Sequence, residues 1–142
     1  MRRGKPQTSL LVVAAAVVLG VLISATSALA IINCPPTCTG TPSRDVMQGD
    51  NTGNNMDALG SNDDVYGGGG FDDISGSGGA NDFVYDTSGN DVLRGGDGAS
   101  DYMYAAGDSG SDTLKGGAQA GDKCEGDLSD SYEPDCEIVT KH

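Results

Sequence analysis

Eight aspartates and one asparagine recur along this chain with near-regular spacing: Asp45, Asn54, Asp63, Asp72, Asp82, Asp91, Asp101, Asp112 and Asp122. Two residues after each stands an apolar residue: Met47, Met56, Val65, Ile74, Val84, Leu93, Met103, Leu114 and Cys124, at intervals of 9 to 11 residues. Glycines crowd the gaps. Carboxylates combined with the carbonyls of glycine-rich turns form an all-oxygen donor set, which suits a hard cation. Calcium accepts about six to eight oxygens in flexible loops, whereas magnesium demands a tight octahedral shell and keeps its waters. Softer metals want nitrogen or sulfur, and the only histidine is His142, at the terminus.

The element that must position these groups is a short repeat. The unit Gly67-Gly68-Gly69-Gly70-Phe71-Asp72-Asp73-Ile74-Ser75 reads as a six-residue turn ending at the acid, followed by a three-residue strand. Glycine is required where φ is positive or two backbones approach closely. Side chains alternate along a strand, so the central apolar residue faces inward and its neighbours face out. One such unit cannot bury its single apolar side chain alone, but stacked units build a thin continuous core. The expectation is an all-β solenoid of about nine short coils.

These residues resemble the RTX, or haemolysin-type, calcium-binding nonapeptide repeats. Residues 67–75 meet the pattern Gly-Gly-x-Gly-x-Asp-x-apolar-x in full, and segments 89–98 and 110–117 are similar to it. The resemblance, over residues 40–126, implies a parallel β-roll in which two units make one full coil and calcium ions lie between turns on the same side. It assigns as ligands the carboxylates of Asp63, Asp72, Asp82, Asp91, Asp101 and Asp112, with Gly67, Gly69, Gly95 and Asp97 from the turns. It also divides the acids into two rows. Asp45, Asp63, Asp82, Asp101 and Asp122 form one row; Asn54, Asp72, Asp91 and Asp112 form the other. Ala58, Leu59 and Ser61 depart from the pattern by replacing glycines before Asp63, and Asn54 lacks a charge. A calcium-independent solenoid with solvated acids is the competing reading.

The two-row register places Tyr66, Phe83, Tyr85, Tyr102 and Tyr104 on one outward face. Aromatics suit strands and stiffen them by stacking; a cell-surface, sugar or protein contact is the sharper reading of such a patch. The formal net charge is −13, which argues against nucleic acid as a partner. Arg2, Arg3 and Lys5, the apolar run from Leu10 to Ile23 and the small residues ending Ala28-Leu29-Ala30 have the layout of a secretory signal cleaved after Ala30, with an uncleaved anchor as its competitor. Removal of residues 1–30 takes three basic residues away and the charge to −16. The expected product is a secreted, extracellular protein with no membrane segment left.

An even cysteine count in an exported chain reads as disulfides. Four cysteines allow three connectivities; the local pairs Cys34/Cys38 and Cys124/Cys136 are favoured, stapling a loop over 31–39 and an acidic cap over 127–142. Catalysis is not expected: there is no zincin motif, no Gly-x-Ser-x-Gly elbow and no histidine-based pair. Acid pairs such as Asp63/Asp64 point to opposite faces of a strand. The function expected is calcium binding that folds or stabilises the β-roll, the alternative being an interaction module acting through the tyrosine face.

Overall fold

The computed structural model describes residues 29–142, so the expected signal segment lies outside the described residues except for Leu29 and Ala30. The described chain is all-β and parallel. One sheet stacks seven strands in the order Ala30–Asn33, Asp45–Gln48, Asp64–Tyr66, Phe83–Tyr85, Tyr102–Ala105, Lys123–Gly126 and Ile138–Lys141. A second stacks six: Thr37–Thr39, Asn55–Asp57, Asp73–Ser75, Val92–Gly96, Thr113–Gly117 and Ser131–Tyr132; in the turns Gly69–Gly70 pairs with Ser88–Gly89 as a small third sheet. Consecutive long strands alternate between the sheets, so each turn of the solenoid uses one strand from each. The chain therefore makes about six turns rather than nine coils, because two repeats, not one, complete a turn.

Register explains the spacing seen in the sequence. Met47, Val65, Val84, Met103 and Cys124 align in one column. Met56, Ile74, Leu93 and Leu114 align in the other. All nine are fully buried between the sheets, as a core only one side chain thick per sheet requires. Insertions between repeats are absorbed in the turns, where loop length costs little, and leave strand register intact.

The stack extends past residues 40–126 at both ends. Ala30–Asn33 and Thr37–Thr39 add strands at the start, with Ile32 aligned on Met47 and Cys38 on Met56. Cys34 is bonded to Cys38 and Cys124 to Cys136. Such bonds persist in an oxidising, extracellular-type environment. Ser131–Tyr132 places Tyr132 on Leu114, and Ile138–Lys141 places Val139 on Cys124. Ile138 and Val139 remain 52% and 42% exposed, so they prolong the sheet instead of sealing its end. No helix among the described residues is long and apolar enough to cross a membrane.

Candidate cation site: two buried aspartate ladders

At each edge of the roll, where a turn feeds a strand, one aspartate per coil points inward. Along the first edge the Oδ1 atoms of Asp63, Asp82, Asp101 and Asp122 accept the backbone N–H of Asp45, Asp63, Asp82 and Asp101, at 2.8, 2.7, 2.9 and 2.9 Å. Along the second edge Asp72, Asp91, Asp112 and Asp130 accept from Asn54, Asp72, Asp91 and Asp112, at 2.7, 2.7, 2.8 and 3.0 Å. Each carboxylate thus ties its coil to the one before it. The aspartate precedes a three-residue strand because only there does an inward side chain reach the first free N–H of the neighbouring coil.

One oxygen of each group is spent on this ladder; the other is not. The Oδ2 atoms of Asp63, Asp72, Asp82, Asp86, Asp91, Asp101, Asp112 and Asp122 are buried and accept no hydrogen bond. An unsatisfied buried polar group costs about 1–3 kcal/mol, more when charged, against a whole-domain stability of about 5–15 kcal/mol. Among the described residues no ion pair relieves them: Arg44 and Arg94 pair with the outward Asp64 and Asp73, and Lys115 and Lys123 with Glu133 and Glu125. At three of the four row ends the demand is met locally; Asp122 is the exception. The second oxygen of Asp45 accepts Thr41 N–H at 2.5 Å, and that of Asp130 accepts Asp127 N–H at 2.5 Å. Asn54, uncharged, accepts Asp50 N–H at 2.9 Å.

Burial without a counter-charge pushes six of the ladder carboxyls up, although the N–H bond each accepts acts in the opposite direction. Asp63 is raised to about 6, and Asp82 and Asp112 to about 7. Burial raises Asp91, Asp101 and Asp122 as well. Asp86 is raised first by burial and then by the neighbouring Asp72 carboxyl.

The turn glycines complete the donor set. A Cβ on Gly76 would lie 2.5 Å from the Gly95 carbonyl oxygen and 2.7 Å from Asp82 Oδ2. One on Gly40 would lie 2.6 Å from Ala58 O and 2.8 Å from Asp45 Oδ2. Each glycine therefore leaves open a small space faced by a carbonyl of the next coil and an aspartate oxygen of its own turn. Oxygens from backbone and carboxylate around one space are what a hard cation accepts. Ala58 and Ala105, both buried, stand at the equivalent offset four residues after Asn54 and Asp101 and fill that space with a methyl group.

The residues named from sequence divide accordingly. Asp63, Asp82 and Asp101 fall in the first row, and Asp72, Asp91 and Asp112 in the second, all buried. Gly67, Gly69 and Gly95 are buried in the turns between them, and Gly69 donates to Asp50 O at 2.9 Å. Asp97 does not join them. It is exposed, and the backbone of its turn is held instead, by Asp97 N–H to Ser77 O at 2.6 Å, so its carboxylate stays at the surface.

Three acids escaped the sequence reading. Asp86 and Asp108 join two groups of three carboxylates, Asp72/Asp86/Asp91 and Asp91/Asp108/Asp112, whose ligand oxygens all lie within 4.8 Å of one another. Asp130 extends the second row into the tail. Offset arithmetic carries the signal in two cases. Asp86 stands four residues after Asp82, where Gly67 follows Asp63 and Gly76 follows Asp72; Asp130 follows Asp112 by 18 residues, one coil.

The tyrosine face is present on the first sheet. Tyr66, Tyr85 and Tyr104 are in register, as are Phe83 and Tyr102. Tyr85 and Tyr104 stack with centroids 5.0 Å apart and planes 13° apart, while Tyr66 and Tyr85 are tilted at 5.9 Å. Lys123 Nζ lies 4.5 Å over the Tyr102 ring, and the Tyr102 hydroxyl donates to Glu125 Oε2 at 2.6 Å. Comparison with family models, curated proteins and solved structures finds no match to this chain.

Proposed function

We propose that this is a secreted, non-catalytic calcium-binding repeat protein, of the RTX-like kind, whose β-roll is completed by calcium held between its turns. One observation carries the reading: two rows of buried carboxylate oxygens with no partner, some of them beside a glycine-kept space faced by a turn carbonyl, as at Gly76. Protons or cations must neutralise them. The donor chemistry is all oxygen, the turns are glycine-rich, and the four cysteines are bonded in pairs, which supports calcium over magnesium and over softer metals. Where calcium is scarce the charge keeps the chain loose; at extracellular calcium, binding free energy becomes folding free energy. The N-terminal layout and the disulfides support export.

The test is a calcium titration of the oxidised protein followed by circular dichroism, with magnesium as the control. A cooperative gain of β signal with calcium alone is expected. Full β structure in chelator, unchanged by calcium, would refute the reading.

A second reading rests on the in-register aromatics: an adhesion or interaction module working through Tyr66, Phe83, Tyr85, Tyr102 and Tyr104. Triple replacement of Tyr66, Tyr85 and Tyr104 by Ser is expected to leave calcium binding unchanged. Retention of surface or glycan-array binding in that variant would remove the tyrosines from the account.

A further inference from the structure

We infer that Asp72, Asp86 and Asp91 form a three-carboxylate site for a hard multivalent cation, calcium or a trivalent lanthanide, and that it is the tightest cation site of the roll. The inference rests on the cation-binding reading above and goes beyond it in naming a position where this chain departs from its own repeat. At the offset four residues after the ladder acid, the other repeats carry glycine or alanine: Gly49, Ala58, Gly67, Gly76, Gly95, Ala105, Gly116 and Gly126. Only Asp86 puts a carboxylate there.

That carboxylate is directed into the second edge. Asp86 is 1% exposed, as is Asp91, and Asp72 is fully buried. Asp86 Oδ1 is held from outside by the N–H groups of Thr87 and of Ser88, the latter at 3.0 Å. This fixes Oδ2 on the inner side, where it accepts nothing. The same is true of Asp72 Oδ2 and Asp91 Oδ2. A Cβ on Gly67 would press against Asp86 Oδ2 and come within 2.5 Å of Asp72 Oδ2, so glycine keeps open the space into which these oxygens point. Oxygens of all three residues lie within 4.8 Å of one another.

The neighbouring group, Asp91/Asp108/Asp112, is built differently. Asp108 is only partly buried, and its two oxygens already accept Gly110 N–H at 2.8 Å and Gly89 N–H at 2.9 Å. Along the first edge, successive ladder acids have glycine or alanine between them and offer no third carboxylate. Ligand charge count sets the affinity of oxygen sites. Three carboxylates that each turn an unpartnered oxygen into one space therefore favour the cation more than a pair, or than a triad whose third acid has both oxygens hydrogen-bonded, and favour a trivalent ion most.

The experiment is a calorimetric titration of the oxidised protein with calcium alone and with terbium(III) alone, from a chelator-stripped start. Circular dichroism is recorded alongside. Asp86→Gly restores the repeat residue, Asp86→Asn keeps the volume if the glycine variant folds poorly, and the exposed Asp97→Asn is the control. The expected result is one equivalent bound about tenfold or more tighter than the rest, with terbium above calcium. Both Asp86 variants should lose that equivalent and keep the later ones together with the β gain, and the control should change nothing. If the Asp86 variants retain the tight equivalent, or the parent protein binds all its equivalents alike, the inference is overturned while calcium binding stands. If the parent protein binds no cation, the calcium reading falls and this inference falls with it.

Discussion

The two edges of the roll carry the same hydrogen-bonded ladder and different turns. Asp63, Asp82, Asp101 and Asp122 on the first edge repeat the bonding of Asp72, Asp91, Asp112 and Asp130 on the second. Around the first ladder the turn positions hold glycine, with Ala58 as the exception. Around the second, Asp86 and Asp108 bring extra carboxylates and Ala105 closes a turn. A ladder rung needs only one inward oxygen per coil. What the second oxygen meets depends on the turn, which is free to vary without disturbing the strands. The rungs thus set the fold, and the turns decide what faces the second oxygen on each edge.

The largest effect should come from pH in chelator, and it should affect both edges. Asp63 and Asp82 on the first edge and Asp112 on the second are raised in the folded state above their ordinary value. The metal-free fold therefore holds more protons than the unfolded chain at pH values from about 4 to about 7. The stability these groups contribute is greatest near pH 4 and is lost as pH rises to about 8. Calcium should reverse this slope, because it replaces the protons and binds better as they leave. Thermal melts across pH 4 to 8, with and without calcium, check the sign. A metal-free melting temperature that rises with pH would contradict it.

Next in size are single-rung substitutions with opposite signs in the two conditions. Asp82→Asn on the first edge keeps the acceptor for Asp63 N–H and removes a buried charge. It should melt higher than the parent in chelator at pH 8, and lower in calcium, by about 2–3 kcal/mol at a hundredfold excess over the dissociation constant. Asp91→Asn on the second edge should show the same pair of signs with a larger calcium penalty, since Asp91 belongs to both three-carboxylate groups. Equal penalties would mean that the extra acids of the second edge contribute nothing.

Opening and closing the turns would exchange the characters of the two edges. Ala58→Gly should cost about 0.5–1 kcal/mol in chelator, the entropy of an added glycine, and add one cation equivalent beside Asp63. Gly67→Ala should remove one beside Asp72, because its methyl carbon would come within 2.5 Å of Asp72 Oδ2. Titration stoichiometry reads both. An effect of similar size, without a change in stoichiometry, concerns Leu59, which replaces a turn glycine and holds φ at 74°. Leu59→Gly should relieve left-handed strain of about 1–2 kcal/mol and give a net gain of about 1 kcal/mol in a chelator melt. A destabilised variant would mean that the Leu59 side chain contributes packing that outweighs its strain.

The strands and rungs were legible in the sequence because each follows from a period: an acid, one residue, then an apolar residue. The tyrosine face followed from the same alternation, and the disulfides from local spacing. The number of turns was misjudged because nine repeats were counted as nine coils. The turn chemistry was not legible. Asp86 reads locally as one more acid in an acidic chain; only its coincidence with a glycine position, and the burial that follows from that position, gives it meaning. Asp97 differs in the opposite way, standing in a glycine-rich stretch yet exposed. The strands at both termini were hidden because Ile32, Cys38, Tyr132 and Val139 continue the apolar columns without the acid–apolar spacing, although Asp130 continues a rung.

The parallel stacking has a mechanical consequence. Both sheets are parallel, and each coil of 18 to 21 residues is bonded only to the coil before it and the coil after it. A load applied between the two ends would strip the coils one at a time from an end, like thread drawn from a bobbin. Each release would lengthen the chain by roughly 65 Å, taking about 3.4 Å per extended residue. The Cys34–Cys38 and Cys124–Cys136 bonds sit in the end coils, so the yielding length lies between them. A cation seated between two coils would serve there as a catch, and the extension trace would become a ratchet whose step height is set by the calcium around it.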